Sequence, residues 1–186
     1  MKETGFLENY YQREILEQAC KEGCPNYGNK WSCPPFSLPF KKIKGKYGKA
    51  ILICLTTDMD QYLDIKNKYL AVKAANVTLK NSVEKIARDL EKRVNGYALL
   101  SGSCRLCRPC ACKTGQSCRH PDQMRYSVEA AYLDVQKMCQ DLLDFELLWY
   151  NNKVVPLYTS TVSLVLHNKE IEKSQVQEIL ASVLEC

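Results

Sequence analysis

Eight of the chain's eleven cysteines fall into two tight groups, and this clustering restricts what the chain can fold into more than any other feature. The first group is Cys20, Cys24 and Cys33; the second is Cys104, Cys107, Cys110, Cys112 and Cys118. In reducing cytosol such density points to metal or redox chemistry, and an odd count fits no pure disulfide framework. The stretch 24–36 is built from turn formers, among them Pro25, Asn26, Gly28, Asn29, Pro34 and Pro35. It reads as a loop ordered by something other than backbone pairing.

The spacing Cys104-x2-Cys107-x2-Cys110 wraps three corners of a [4Fe–4S] cube and leaves intervening N–H groups to point at the sulfurs. The expected fourth ligand is Cys118, just before Arg119, His120 and Pro121. The first group offers three thiolates. Either Cys112 completes it, giving two fully ligated cubes that shuttle electrons, or three cysteines hold a second cube with one open iron. Such an iron acts as a Lewis acid on a small or sulfur-containing substrate. Zinc is the inorganic alternative, which would make the chain a structural protein that binds a partner. Zinc motifs usually present two separated cysteine pairs, whereas this run has three in succession.

Other residues take plainer readings. Cys54 lies in an apolar strand and Cys139 on an apolar helix face, so both are expected in the core, with Cys186 a terminal bystander. Arg105, Arg108, Lys113, Arg119 and Arg125 interleave with the second group, where they are expected to offset an anionic cluster or to dock an anionic substrate or acidic partner. The two histidines, His120 and His167, are too few for a histidine-based metalloenzyme or triad. No phosphate loop or dinucleotide fingerprint is present.

The rest of the chain supplies a scaffold. Hydrophobic residues make up 46% and charged residues 25%, which is ordinary for a folded domain. Hydrophobic periodicity predicts helices over 6–21, 127–143 and 171–184, and a long helix capped by Asp58 and ended by Gly96. Strands are expected over 50–57, 97–100 and 161–166, the last with a partner near 155–158. Ser127 is placed to cap its helix, whose positive end would face the cysteine region. The order predicts one domain over 1–186, α/β or α+β. In it a small three- to five-stranded sheet packs with helices, and loops 20–40 and 102–122 form the metal-binding region.

No apolar run reaches membrane length, and acidic residues occupy the start where a leader would be apolar, so the cytoplasm is the expected compartment. The net charge of +5 is modest, and the lysine-rich 41–46 reads as a solvated loop rather than a nucleic-acid site. The expected partners are a redox protein or a small-molecule substrate.

Several segments together resemble a known family: Cys24-Pro-Asn-Tyr-Gly, Trp31-Ser-Cys33-Pro-Pro, Gly102-Ser-Cys104-Arg-Leu-Cys107-Arg-Pro-Cys110, Cys118-Arg-His-Pro, Ser127-Val-Glu129-Ala and Asp134-Val135. The family consists of small, cysteine-rich predicted metal-binding proteins of anaerobic bacteria and archaea, and the resemblance spans roughly residues 10–170. It implies that Cys104, Cys107, Cys110 and Cys118 form one ligand set and Cys20, Cys24 and Cys33 another. Cys112 looks like an addition to the pattern. The resemblance implies metal binding and says little about a reaction.

Overall fold

A computed structural model describes residues 2–45 and 47–184, so Lys46 and Cys186 lie outside the described residues. Two ten-residue strands carry the sheet. β2 (Lys49–Asp58) and β4 (Tyr158–His167) pair antiparallel along their whole length, from Lys49 opposite His167 to Asp58 opposite Tyr158. β1 (Lys2–Glu3) adds to the outer edge of β2, and β3 (Tyr97–Leu99) adds to the other edge of β4. The order is β1-β2-β4-β3, all antiparallel, so the fold is α+β with a small sheet, as the sequence predicts.

Strand alternation sends successive side chains to opposite faces. Ile51, Ile53, Ala98 and Val165 pack beneath α4 (Lys68–Val94) and α6 (Lys173–Leu184). Ala50, Leu99, Val162, Leu164 and Leu166 pack on the other face, against α5 (Val135–Leu143) and Tyr126, Val128 and Leu133 of the preceding segment. With both faces covered, β2 and β4 need near-continuous apolar sequence, which explains the run at 50–55. Among the described residues, no helix is long and apolar enough to cross a membrane.

Several boundaries differ from expectation. The helix over 6–21 is divided into α1 (Thr4–Leu7), a 3-10 turn (Glu8–Tyr10) and α2 (Arg13–Gly23). The break arises because Gln12 N–H donates to the Tyr132 carbonyl at 2.9 Å and Asp134 N–H to the Tyr10 carbonyl at 2.9 Å. Asp58 ends β2 instead of capping the long helix; a 3-10 turn (Met59–Tyr62) intervenes, and Asn67 caps α4 by accepting the Leu70 N–H at 3.1 Å. The left-handed residue after α4 is Asn95, with φ of 50°. Gly96 is needed for a different reason: a Cβ there would stand 2.2 Å from the Leu166 carbonyl oxygen, where the helix exit crosses β4.

Ser127 does accept a capping bond, from Ala130 N–H at 3.0 Å, but it caps only the 3-10 turn Glu129–Ala131. α5 starts later, capped by Asp134. A three-residue turn has no aligned dipole to aim at a cluster. The segment 155–158 forms no separate partner strand; it feeds directly into β4. The lysine-rich run begins as α3 (Phe40–Lys44), whose Lys41 and Lys44 pair with Glu8.

One buried ion pair ties the second cysteine loop to α4. Glu91 Oε1 accepts from Arg125 Nε at 2.6 Å and from Ala98 N–H at 2.7 Å, and the Arg125 guanidinium lies 4.8 Å over the Tyr97 ring. Both partners are largely buried, so removing one strands the other's charge. Glu91→Ala is therefore expected to lower unfolding free energy by about 3 kcal/mol in a denaturant titration. Glu14→Ala, on the outer surface of α2, is expected to change it by less than about 0.5 kcal/mol.

Candidate metal centres

The first cysteine loop folds on its own backbone. α2 delivers Cys20 at its C-terminal end, and Cys24 N–H closes the helix onto the Cys20 carbonyl at 3.1 Å. Gly28, at φ of 64°, donates its N–H to the Pro34 carbonyl at 2.9 Å, and Cys33 N–H bonds the Lys30 carbonyl at 3.1 Å. These turns bring Cys33 back beside Cys20 and Cys24. Burial pushes the Cys33 thiol up to about 11, and the charges of Cys24 and Cys20 add to the rise. Cys20 is raised by burial first, then by Cys24 and Glu129. All three line a cavity of about 320 Å³ that Lys80, Ser103, Ser127 and Glu129 also border.

The second loop starts where β3 ends. Leu100 is held to the following segment by bonds to Tyr126 and Val128, after which Gly102 turns the chain at φ of 70°. The Cys104 thiol is raised chiefly by burial, against an N–H bond from Leu106, and the charges of Cys107 and Cys118 raise it further. At Cys110 burial also pushes upward, yet bonds from the backbone N–H groups of Trp31 and Cys112 and from the Cys107 thiol leave the group below its usual value. Cys104, Cys107, Cys110 and Cys118 thus interact as one set. N–H groups aimed at sulfur stabilise thiolate, which is the form that binds metal.

Cys112 behaves differently. It is buried, its thiol donates to the Gly28 carbonyl at 3.7 Å, and the thiol acting on it is Cys110. It does not line the cavity of the first group, although the carbonyl it bonds belongs to that loop. Cys54 and Cys139 hydrogen-bond each other across the β2–α5 contact, which lowers Cys54 and raises Cys139. Both belong with the core, as expected.

The two loops interlock through residues that cysteine spacing alone does not single out. Ser32 accepts the Cys104 N–H at 3.1 Å and lies 3.8 Å from the Cys33 sulfur, a contact that opposes part of the rise caused there by burial. Lys30 donates to Ser103 Oγ at 3.0 Å and to the Cys104 carbonyl at 2.7 Å, and its charge lowers Cys33, Cys104 and Cys110 together. Trp31 Nε1 donates to the Gln116 carbonyl at 2.9 Å. Two of the arginines expected around the second group pair with α4, Arg105 with Glu84 at 2.8 Å and Arg125 with Glu91, whereas Arg119 stays within the loop and bonds the Pro109 carbonyl at 3.2 Å. The cation between the groups is Lys30.

Among the described residues, no three His, Cys, Asp or Glu side chains gather closely enough to hold a metal ion. The thiols of each group are near enough to act on one another, and those of the first group surround a cavity. A family model described as predicted metal-binding protein (DUF2284) matches residues 8–167. Comparison with curated proteins and with solved structures returns no match.

The geometry separates Cys112 from its neighbours in a direct way. Cys112→Ala is expected to leave the metal content of the purified chain unchanged, whereas Cys110→Ala should remove the metal held by the second group, both read by elemental analysis.

Proposed function

We propose that this chain, which belongs to the family of predicted metal-binding proteins, is an iron–sulfur protein that works in redox chemistry with two [4Fe–4S] clusters. In this reading Cys104, Cys107, Cys110 and Cys118 hold one cluster at all four corners, and Cys20, Cys24 and Cys33 hold the second at three. When bound, the four-thiolate cluster supplies one-electron transfer, and the three-thiolate cluster adds an iron open to a small ligand.

The observation that carries the reading is the path between the groups. From the Cys33 sulfur it runs 3.8 Å to Ser32 Oγ, then 3.1 Å to the backbone nitrogen of Cys104. Two redox centres separated by one serine side chain exchange electrons without a further carrier. The chain's own groups support the charge this requires. Lys30 faces both sets, and N–H groups of Trp31, Cys112 and Leu106 point at sulfurs of the second. The succession Cys104, Cys107 and Cys110, three cysteines each two residues apart, favours a cubane over a zinc site, whose motifs usually present separated pairs. The cavity beside Cys20, Cys24 and Cys33 favours an open fourth position over a purely electron-carrying role. A redox partner protein would then supply or take the electrons.

Anaerobic purification or reconstitution, followed by iron and sulfide analysis, is expected to find about eight of each per chain. Cys33→Ala and Cys107→Ala should each leave about four. One zinc with no sulfide would overturn the proposal. Lys30→Gln removes a positive charge near both groups and is expected to lower both reduction potentials in a redox titration.

A further inference from the structure

Outside the two cysteine groups, the fold brings a second kind of thiol site together. Cys54 lies on β2 and Cys139 on α5. Alternation along β2 turns Ile51, Ile53 and Leu55 toward α4 and α6, and Ala50, Leu52 and Cys54 toward α5. On α5, Val135, Met138, Cys139 and Leu142 make the apolar stripe that meets the same core. Strand and helix each contribute one thiol to this interface. The two hydrogen-bond each other, and both are free cysteines.

The members of the pair differ in exposure. Cys139 is 0% exposed, whereas Cys54 is only half-buried. The sheet accounts for the difference. β1 pairs only with Lys49 and Ala50, so from Ile51 onward no described strand covers the outer edge of β2. Cys54 keeps contact with solvent there, and Cys139 has none.

They differ in charge as well. Cys139 donates to the Cys54 sulfur, which holds the Cys54 thiol below its ordinary value against the opposing effect of burial. The contact with Cys54, burial and the Glu129 carboxylate all act to keep Cys139 protonated. Thiolate is the nucleophilic form of cysteine. A solvent-touching thiol that ionises readily, set beside a second thiol that stays protonated, is arranged for oxidation at the first sulfur and resolution by the second.

We propose that Cys54 and Cys139 form a hydroperoxide-reducing pair, with Cys54 the attacking sulfur and Cys139 the resolving one. The Cys54 thiolate attacks one peroxide oxygen, the O–O bond breaks, and sulfenic acid forms on Cys54 while hydroxide departs. The Cys139 sulfur then attacks the Cys54 sulfur. The S–O bond breaks, the Cys139 proton leaves with that oxygen as water, and a disulfide joins β2 to α5. The pair loses two electrons and the peroxide takes them up; a small external dithiol returns both thiols. No cysteine of either metal-binding group takes part, so this inference is independent of the iron–sulfur reading.

The test uses the full chain, purified anaerobically with its metal bound. It is treated with one equivalent of hydrogen peroxide, alkylated in denaturant and digested without reductant. Mass spectrometry should find the Cys54 peptide joined to the Cys139 peptide as the dominant linked pair, and dithiothreitol should release it. In Cys139→Ala the oxidised sulfur lacks its resolving partner, so dimedone should label Cys54 as sulfenic acid. In Cys54→Ala, Cys139 should stay reduced and unlabelled. The linkage itself is read in the parent chain, so the test holds even where a core substitution impairs folding.

Absence of the linked peptide from the parent overturns the proposal, as does sulfenic acid on Cys139 in Cys54→Ala. Iron and sulfide are measured on the same samples. Linkage ahead of iron loss is the expected order; linkage only after it would mean exchange with freed ligand thiols and overturns the proposal. The same bridge in a chain that carries no iron or sulfide leaves this inference standing and removes the iron–sulfur reading instead.

Discussion

The clasp between the two cysteine loops is the interaction on which the rest of the site depends. Ser32 and Lys30 of the first loop hold the Cys104 backbone and the Ser103 hydroxyl in the second, and Trp31 reaches across to both Cys110 and Gln116. Without these bonds the chain would carry two separate groups of thiols about 70 residues apart in sequence. With them, Ser32 touches the Cys33 sulfur and the Cys104 amide at once. A polar clasp of this kind is effective because it is sheltered: Ser32 is 1% exposed, and buried hydrogen bonds gain strength from low local dielectric.

The scaffold holds the clasp in place from behind. The second loop is anchored to α4 at two levels, by Arg105 on Glu84 and by Arg125 on Glu91, while Glu91 also takes the Ala98 amide of β3, just after Gly96. Arg105 and Arg125, which sequence proximity sets beside the second group, are therefore spent on orientation, and Lys30, a cation that acts on both groups, comes from the other loop. The same short β3 that launches the second loop stops beside Leu164. Beyond that early end a cavity lies along β4, next to the cavity that the first group of cysteines lines.

Much of the scaffold was legible in the amino-acid order. β2, β3, β4 and α6 fall close to their predicted ranges, and α4 ends where predicted though it starts later, because each has an apolar pattern matched to its period and covers a face of the core. The misreadings sit where tertiary bonds overrule local preference. Periodicity continues through Tyr10 and Gln12, yet those residues bond with Tyr132 and Asp134 and the helix breaks. Ser127 has the chemistry of a helix cap, but its turn lasts three residues before Tyr132 turns left-handed, at φ of 65°. Asp58 looks like a cap as well, and the strand simply extends through it.

For the site, the order of residues alone singled out two groups of cysteines, Cys20, Cys24 and Cys33 against the run from Cys104 to Cys118, because spacing is a local property of the chain. Only the tertiary structure decided that the two sets meet through Ser32, that Lys30 is their shared cation, that Cys112 turns to the Gly28 carbonyl, and that Cys54 meets Cys139 between β2 and α5. These residues come from a loop, a helix, a turn and a strand far apart in sequence. Their roles arise from distance and burial, and neither has a signature in the order of residues along the chain.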